Sequence, residues 1–263
     1  MLISKRFEGM TAVVTGAGSG IGRAAAMRLA NEGACVGIVD IDADGAGAVL
    51  SEIKALGGTA SVAIADVSES ADVRAAFDVI RGDLGIPQVL VNNAGILRLS
   101  PVEDTSDELF ELVLRTNLFS VFYFSREFAR QTMAAGLSGS IVNVSSIHAV
   151  ISEPNGGAYT AAKGGIEALS RTMASEWARK GIRVNCVRPG ATHSALSKPL
   201  YTEEVVRALH DRVPMGTIAE PEQIAAGICF LASNEAAYIT GTTLDIDGGY
   251  IMDGSLPGLA YRE

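Results

Sequence analysis

Three cysteines are too few to staple a fold. Cys35, Cys186 and Cys229 are far apart, odd in number and set in apolar segments. That is the pattern of reduced, buried thiols, not of a disulfide framework or a zinc site. Histidine is equally scarce, with 3 in the chain. Neither His148 nor His193 has a suitably spaced carboxylate or second histidine beside it, so no metal site is expected. Positive charge is also short: 21 Lys and Arg stand against 30 Asp and Glu, a net charge of −9. Without a basic stretch, charge-driven partnership with nucleic acid or an anionic membrane is excluded. No apolar run approaches the roughly 18 residues of a spanning helix. The opening MLISKRFEGMTAVVTG has a basic pair but no apolar core followed by a small-residue cleavage site, and a cytoplasmic protein is expected. Pro/Ser-rich linkers, low-complexity tracts and solenoid-length repeats are lacking too, which leaves one domain over 1–263.

What is present is apolar residues, at 48%, and 29 glycines, a mixture that excludes a disordered chain and suits an α/β fold with tight turns. Short β-branched runs at 11–15, 34–39, 60–65, 89–91, 140–144, 183–187 and 243–246 read as about seven buried strands. Helical periodicity lies between them, as at 21–32, 71–84 and 159–180. Nearly continuous apolar strands alternating with helices predict a single-domain, Rossmann-like, doubly wound parallel sheet with helices on both faces. Residues 192–220 contain no strand and are expected to project from the core as a substrate-loop insertion. Residues 253–263 are expected to form an irregular C-terminal tail.

The first strand runs into Thr15-Gly16-Ala17-Gly18-Ser19-Gly20-Ile21-Gly22 and then a helix. Glycines allow the tight turn and close approach of backbone to a pyrophosphate, which the N–H groups and dipole of a helix N-terminus attract. Asp40 ends the second strand, 20 residues past Gly20. A carboxylate there accepts both hydroxyls of an adenosine ribose and repels a 2′-phosphate, and Ser19 stands where a basic side chain would meet that phosphate. The spacing therefore favours NAD(H) over NADP(H). Asp42 and Asp44 read as helix-start acids.

Tyr159-Thr-Ala-Ala-Lys163 lies in a strongly helical stretch, so both side chains share one face a turn apart. A free tyrosine ionises near pH 10, and a neighbouring ammonium lowers that by ~1–3 units. Ser145-Ser146 and Asn92-Asn93-Ala94-Gly95 close two strands at the carboxyl edge, and Asn117 falls in a helix between them. In doubly wound folds that edge is where ligands bind.

Over almost its whole length the sequence resembles the short-chain dehydrogenase/reductase family. The resemblance is carried by 15–22, Asp66-Val67, Asn92–Gly95, the set Asn117, Ser146, Tyr159 and Lys163, and Pro189-Gly190. Ser146, 13 residues before Tyr159, matches the family serine, which leaves Ser145 structural. The resemblance implies that Tyr159 passes a proton to or from the reacting oxygen and that Ser146 stabilises the charge developing there. It implies that Lys163 holds the nicotinamide ribose and acidifies Tyr159, and that Asn117 anchors a relay water. The coenzyme set would be Gly16, Ser19, Gly20, Ile21, Gly22, Asp40, Asp66, Val67, Asn93, Ala94, Gly95, Tyr159, Lys163, Pro189, Gly190, Thr192 and Ser194. Where the family often has threonine four residues after Pro189-Gly190, this chain offers Ser194.

His148, Glu153, Asn155 and Leu196 are the candidate substrate residues, with Pro199, Leu200, Tyr201 and Met215 in a lid. The expected substrate is a small secondary alcohol, whether polyol, sugar-like or cyclic, or its ketone. The run Leu118–Phe124 is apolar nearly all round, which predicts burial within the fold or between subunits; the resemblance implies a homotetramer of D2 symmetry. Three rival activities share the fold: a 3-oxoacyl thioester reductase, a dehydratase or epimerase with bound NAD, and a non-catalytic dinucleotide sensor. Asp40 argues against the first, and the intact tetrad against the last.

Overall fold

The computed structural model describes residues 5–254. β1 (Thr11–Thr15) leads into α1 (Gly20–Asn31), β2 (Cys35–Asp40) into α2 (Ala43–Ala55), and β3 (Thr59–Ile64) into α3 (Ser70–Leu84). β4 (Val89–Asn92) is followed by α4 (Asp107–Leu114), which widens into a π-type turn over Arg115–Phe119 and resumes as α5 (Ser120–Ala134). β5 (Gly139–Val144), α6 (Gly157–Trp177), β6 (Ile182–Pro189), α7 (Glu203–Arg212), α8 (Pro221–Ala232) and β7 (Thr243–Ile246) complete the order.

The strands form one seven-stranded sheet, in the order β3-β2-β1-β4-β5-β6-β7. Every pairing is parallel, as the sequence pattern predicts. Alternate residues of each strand face opposite sides, so each strand feeds two cores. From β1, Ala12 and Val14 pack with Leu29 of α1 and Ile224 and Ile228 of α8. Val13 faces the other way, with Leu90, Ile141, Phe77, Phe124, Phe128 and Met173. Phe77, Phe124 and Phe128 are fully buried; truncating such a ring to alanine costs about 3–5 kcal/mol. Chain order along the sheet reverses between β1 and β4, and the crevice above that reversal is where a doubly wound sheet binds ligands.

Two elements add to the sequence reading. The stretch after β6 holds a helix that periodicity did not single out, α7. Thr202 caps it by accepting from the Val205 amide, with Glu203 and Glu204 in its first turn and His210 and Arg212 in its last, each charge favoured by the helix dipole. A bridge between Thr192 and Ala219 closes the base of this excursion. Within the single chain the run Leu118–Phe124 is two-faced. Phe124 is fully buried, whereas Phe119 and Phe122 are more than a third exposed, with Arg126 stacked on Phe122 at 4.7 Å. Cys186 and Cys229 are buried and Cys35 is half-buried. Burial pushes the Cys186 thiol up to about 11 and that of Cys229 to about 12, so both stay protonated and unreactive. Among the described residues no helix is long and apolar enough to cross a membrane. Of the expected tail, residues 255–263 lie outside the described residues.

Candidate active site

The turn between β1 and α1 is shaped by what cannot fit there. A Cβ on Gly22 would lie 2.0 Å from the Gly16 carbonyl oxygen, and one on Gly16, at φ +63°, 2.9 Å from Ala94 Cα. The strand ends are therefore packed backbone to backbone. Asn93 locks them: its amide group donates to the carbonyls of Thr15 and Gly16 at 3.1 Å, and Thr15 Oγ1 accepts from the Asn93 and Ala94 amides. Asp40 leans back onto the turn. Its carboxylate accepts from Gly18 N–H at 2.7 Å and from Asp42 N–H at 3.0 Å. Gly16, Ser19, Gly20, Ile21, Asp40, Asp66, Val67, Asn93, Ala94, Gly95 and Ser194 line a cleft of about 420 Å³. Glycine turn, helix N-terminus and carboxylate together fit a dinucleotide: amides for its phosphates, and Asp40 for its adenosine ribose.

A second cavity, of about 470 Å³, shares Ile21, Asn93, Gly95, Ser194 and Leu196 with the first and holds Asn117, Ser146, Tyr159 and Lys163 on its walls. The one-turn spacing on α6 places Lys163 Nζ 5.5 Å from the centroid of the Tyr159 ring. Nζ donates to the Val144 carbonyl at 2.8 Å. With so little water around it, the ammonium is disfavoured, and burial pulls Lys163 down to about 8. Burial acts on Tyr159 in the opposite sense to the sequence expectation. It pushes the phenol above its ordinary value; a hydrogen bond with Ser146 pulls it back, and the charge of Glu153 pushes it further up. Tyr159 is thus held as a protonated phenol, ready to donate. Ser146 Oγ also accepts from the His148 amide at 3.2 Å, starting the short turn Ile147–Ala149.

Asn117 sits in the π-type turn, fully buried. Its amide donates to the carbonyls of Ile96 and Val113 and accepts from Ile96 N–H, each at 3.0 Å. All three bonds go to backbone, so the side chain fixes the segment leaving β4. A Cβ on Gly95 would come within 2.4 Å of Asn117 Oδ1 and 3.8 Å of Lys163 Nζ, which places both groups around Gly95.

Ser145 is structural, as expected, and leads to a network that the sequence did not reveal. Its hydroxyl donates to Glu167 at 2.8 Å, and Arg188 grips both oxygens of Glu167 at 3.0 and 2.9 Å while also reaching Asp245. One buried carboxylate thereby ties β5, α6 and β6 together behind the reacting groups. Arg188 is followed by Pro189-Gly190, where a Cβ on Gly190 would meet Asp247 Cα at 2.7 Å. Beyond them, Thr192 donates its hydroxyl to Gly190 and its amide to the Tyr201 oxygen, both at 3.0 Å. Ser194 is bonded to Ser197.

Of the four expected substrate residues, His148, Glu153 and Leu196 line the second cavity. Asn155 does not belong with them. It is exposed and adopts φ +64°, a conformation asparagine tolerates better than most residues, and its carbonyl accepts from Ser100 N–H at 2.7 Å. It shapes the loop instead. Leu97, Leu99, Val205, Leu209 and Tyr250 line the cavity as well; topology, not local sequence, brings them there.

A family model described as enoyl-(acyl carrier protein) reductase matches residues 16–251. Among curated proteins, 3beta-hydroxysteroid dehydrogenase 1 of Eggerthella lenta is 38% identical over 97% of this chain and 98% of its own. Among solved structures, a 7 alpha-hydroxysteroid dehydrogenase complexed with NADH and 7-oxo glycochenodeoxycholic acid superposes with a TM-score of 0.90 at 33% identity, covering 94% of this chain and 96% of that one. A putative 2-deoxy-D-gluconate 3-dehydrogenase from Agrobacterium tumefaciens with bound NADP gives 0.88 at 34% identity, over 95% and 99%. The chain belongs to the short-chain dehydrogenase/reductase family, and it is an oxidoreductase of that type.

Proposed function

We propose that the protein is a cytoplasmic, NAD(H)-dependent oxidoreductase that interconverts a secondary alcohol and its ketone, with Tyr159 as general acid/base. One arrangement carries the reading. Tyr159 and Lys163 stand a turn apart on α6, with Ser146 on the same wall, in a cavity continuous with the dinucleotide cleft. Bound there, the nicotinamide supplies the site that accepts or gives the hydride. In the reductive direction Tyr159 gives its phenolic proton to the carbonyl oxygen as charge builds on it. Ser146 Oγ–H donates to that same oxygen and stabilises it. Lys163, fixed by Val144, keeps a cation near the phenol so that the phenolate left behind is tolerated. In oxidation the same groups act in reverse, and Tyr159 takes the hydroxyl proton.

The preference for NAD(H) rests on Asp40. Both of its oxygens already face backbone donors at the mouth of the cleft, and a 2′-phosphate would bring a second anion against it. A homotetramer is part of the same reading: Phe119 and Phe122 leave apolar surface exposed at the start of α5, suited to symmetric pairing. Sedimentation giving only a monomer at micromolar concentration would overturn the assembly. For the activity, NADH and NADPH are titrated by fluorescence, followed by a 340 nm screen of alcohols and ketones. Tighter NADH binding and turnover of secondary alcohols are expected; NADH binding without turnover of any of them would leave a sensor in place of an enzyme.

A further inference from the structure

The second cavity has two unlike sides. On one, Leu97, Leu99, Leu196, Leu200 and Tyr250 form an apolar wall, and Leu99, Leu196 and Leu200 keep about 40% of their surface exposed, at 41%, 42% and 40%. Apolar area left open at a cavity mouth is covered favourably by a carbon skeleton, at about 25 cal/mol per Å². On the other, next to the reacting groups, His148 Nε2 lies 3.1 Å from a carboxylate oxygen of Glu153. The imidazole meets the Tyr159 ring edge-on, at 6.4 Å between centroids.

This pair is not closed on itself. Nδ1 of His148 is buried without a hydrogen-bond partner among the described residues, a mismatch of about 1–3 kcal/mol. Both side chains remain reachable, at 25% and 31% exposure. Their loop is held: Gly156 N–H bonds the Glu153 carbonyl at 2.9 Å, and Ser100 N–H bonds that of Asn155. Glu153 is also the one carboxylate among the described residues lining the cavity.

Resting on the alcohol dehydrogenase reading above, we infer that His148 and Glu153 select neutral alicyclic alcohols carrying a second hydroxyl, and turn away alcohols that bear a carboxylate. The ring of such a substrate lies on the leucine wall while one hydroxyl reacts at Tyr159. The other hydroxyl donates to the Glu153 carboxylate, a charge-assisted bond. A substrate carboxylate would meet Glu153 in a partly dehydrated pocket, where like charges repel strongly. The selection works by repulsion as much as by attraction.

The test compares kcat/KM with NAD for three probes: cyclohexanol, a non-vicinal cyclohexanediol and a hydroxycyclohexanecarboxylate. Wild type is expected to favour the diol over cyclohexanol by about tenfold, the worth of one hydrogen bond to a charged group, and to disfavour the acid by a similar factor. In Glu153→Gln both ratios should fall toward unity, the acid gaining most. A wild type that treats diol and cyclohexanol alike, or prefers the acid, overturns the inference and leaves the dehydrogenase reading standing. Unchanged ratios in Glu153→Gln overturn it too. If NADH binds but no alcohol is oxidised, the dehydrogenase reading itself falls. The wild-type ratios decide the question even if the variant fails to fold.

Discussion

The two halves of the site are built from different material. The dinucleotide half is backbone: glycines whose missing side chains let β1, α1 and the end of β4 touch, locked by Asn93 and Thr15. The substrate half is side chain: leucines, tyrosines and an imidazole–carboxylate pair contributed by the loops after β4, β5 and β6, by α6 and α7, and by the segment after β7. A backbone-built surface tolerates almost no substitution but reads a ligand common to many enzymes. A side-chain-built one can be rewritten residue by residue. Stability and coenzyme binding should therefore respond to changes in the first half, and selectivity to changes in the second.

The sharpest way to separate the halves lies where they meet. Tyr159→Phe should lose on the order of 10³-fold in kcat while NADH still binds with near wild-type affinity by fluorescence; equal losses in both would show that the phenol is a coenzyme ligand first. Within the backbone half, Gly22→Ala puts a methyl against the Gly16 carbonyl. It should cost about 3 kcal/mol of stability and weaken NADH binding with it, as read by urea denaturation and titration. An unperturbed variant would mean that the turn is looser than its contacts.

Lys163 permits a test by pH. Its ammonium titrates at about 8 in the folded chain against an ordinary 10.5, so between those values the unfolded chain holds more protons and stability rises with pH. From pH 7 to 9.5 wild type should gain about 2 kcal/mol relative to Lys163→Met, measured by denaturation at each pH. Parallel curves would show that the cation is solvated. Asp40→Ala should narrow the preference for NADH over NADPH by about tenfold; a wild type that binds NADPH more tightly would reverse the coenzyme assignment. The mildest effect is expected on the lid. Arg212 joins α7 to the last described segment, donating to the Asp253 carbonyl at 2.9 Å and stacking 4.9 Å over Tyr250. Arg212→Gln should raise KM for the alcohol about twofold, the scale of a part-exposed pair, with kcat and NADH affinity held.

The contrast between the halves also explains what the sequence could tell. Strands β1 to β7 and the turn at Gly16–Gly22 announce themselves through period and glycine spacing, because local backbone makes them. Tyr159 and Lys163 are legible for the same reason, being one turn apart on a helix. Leu97, Leu99, Val205, Leu209 and Tyr250 meet only because the sheet brings distant loops to one edge, and nothing in their own neighbourhoods marks them. Asn155 misled by position: it is a polar residue between Ser146 and Tyr159, but its value to the chain is a left-handed backbone angle. Glu167 and Arg188 were invisible because a buried ion pair shows only when two elements are stacked. The acidity of Tyr159 was misjudged because sequence shows the neighbouring cation and not the loss of water around both.

The widened turn at Arg115–Phe119 sets a register. Along the α4–α5 rod it supplies the extra residue that lets Asn117 face the coenzyme rim while Phe124 and Phe128 still reach the interior. Each residue added to or removed from a helix swings everything downstream by about 100°. A one-residue deletion in this rod would restore a regular spiral but turn one of those two sets away from its seat. Chemistry and packing are thus phased by a single inserted step, and the rod can lengthen or shorten only in ways that keep both in phase.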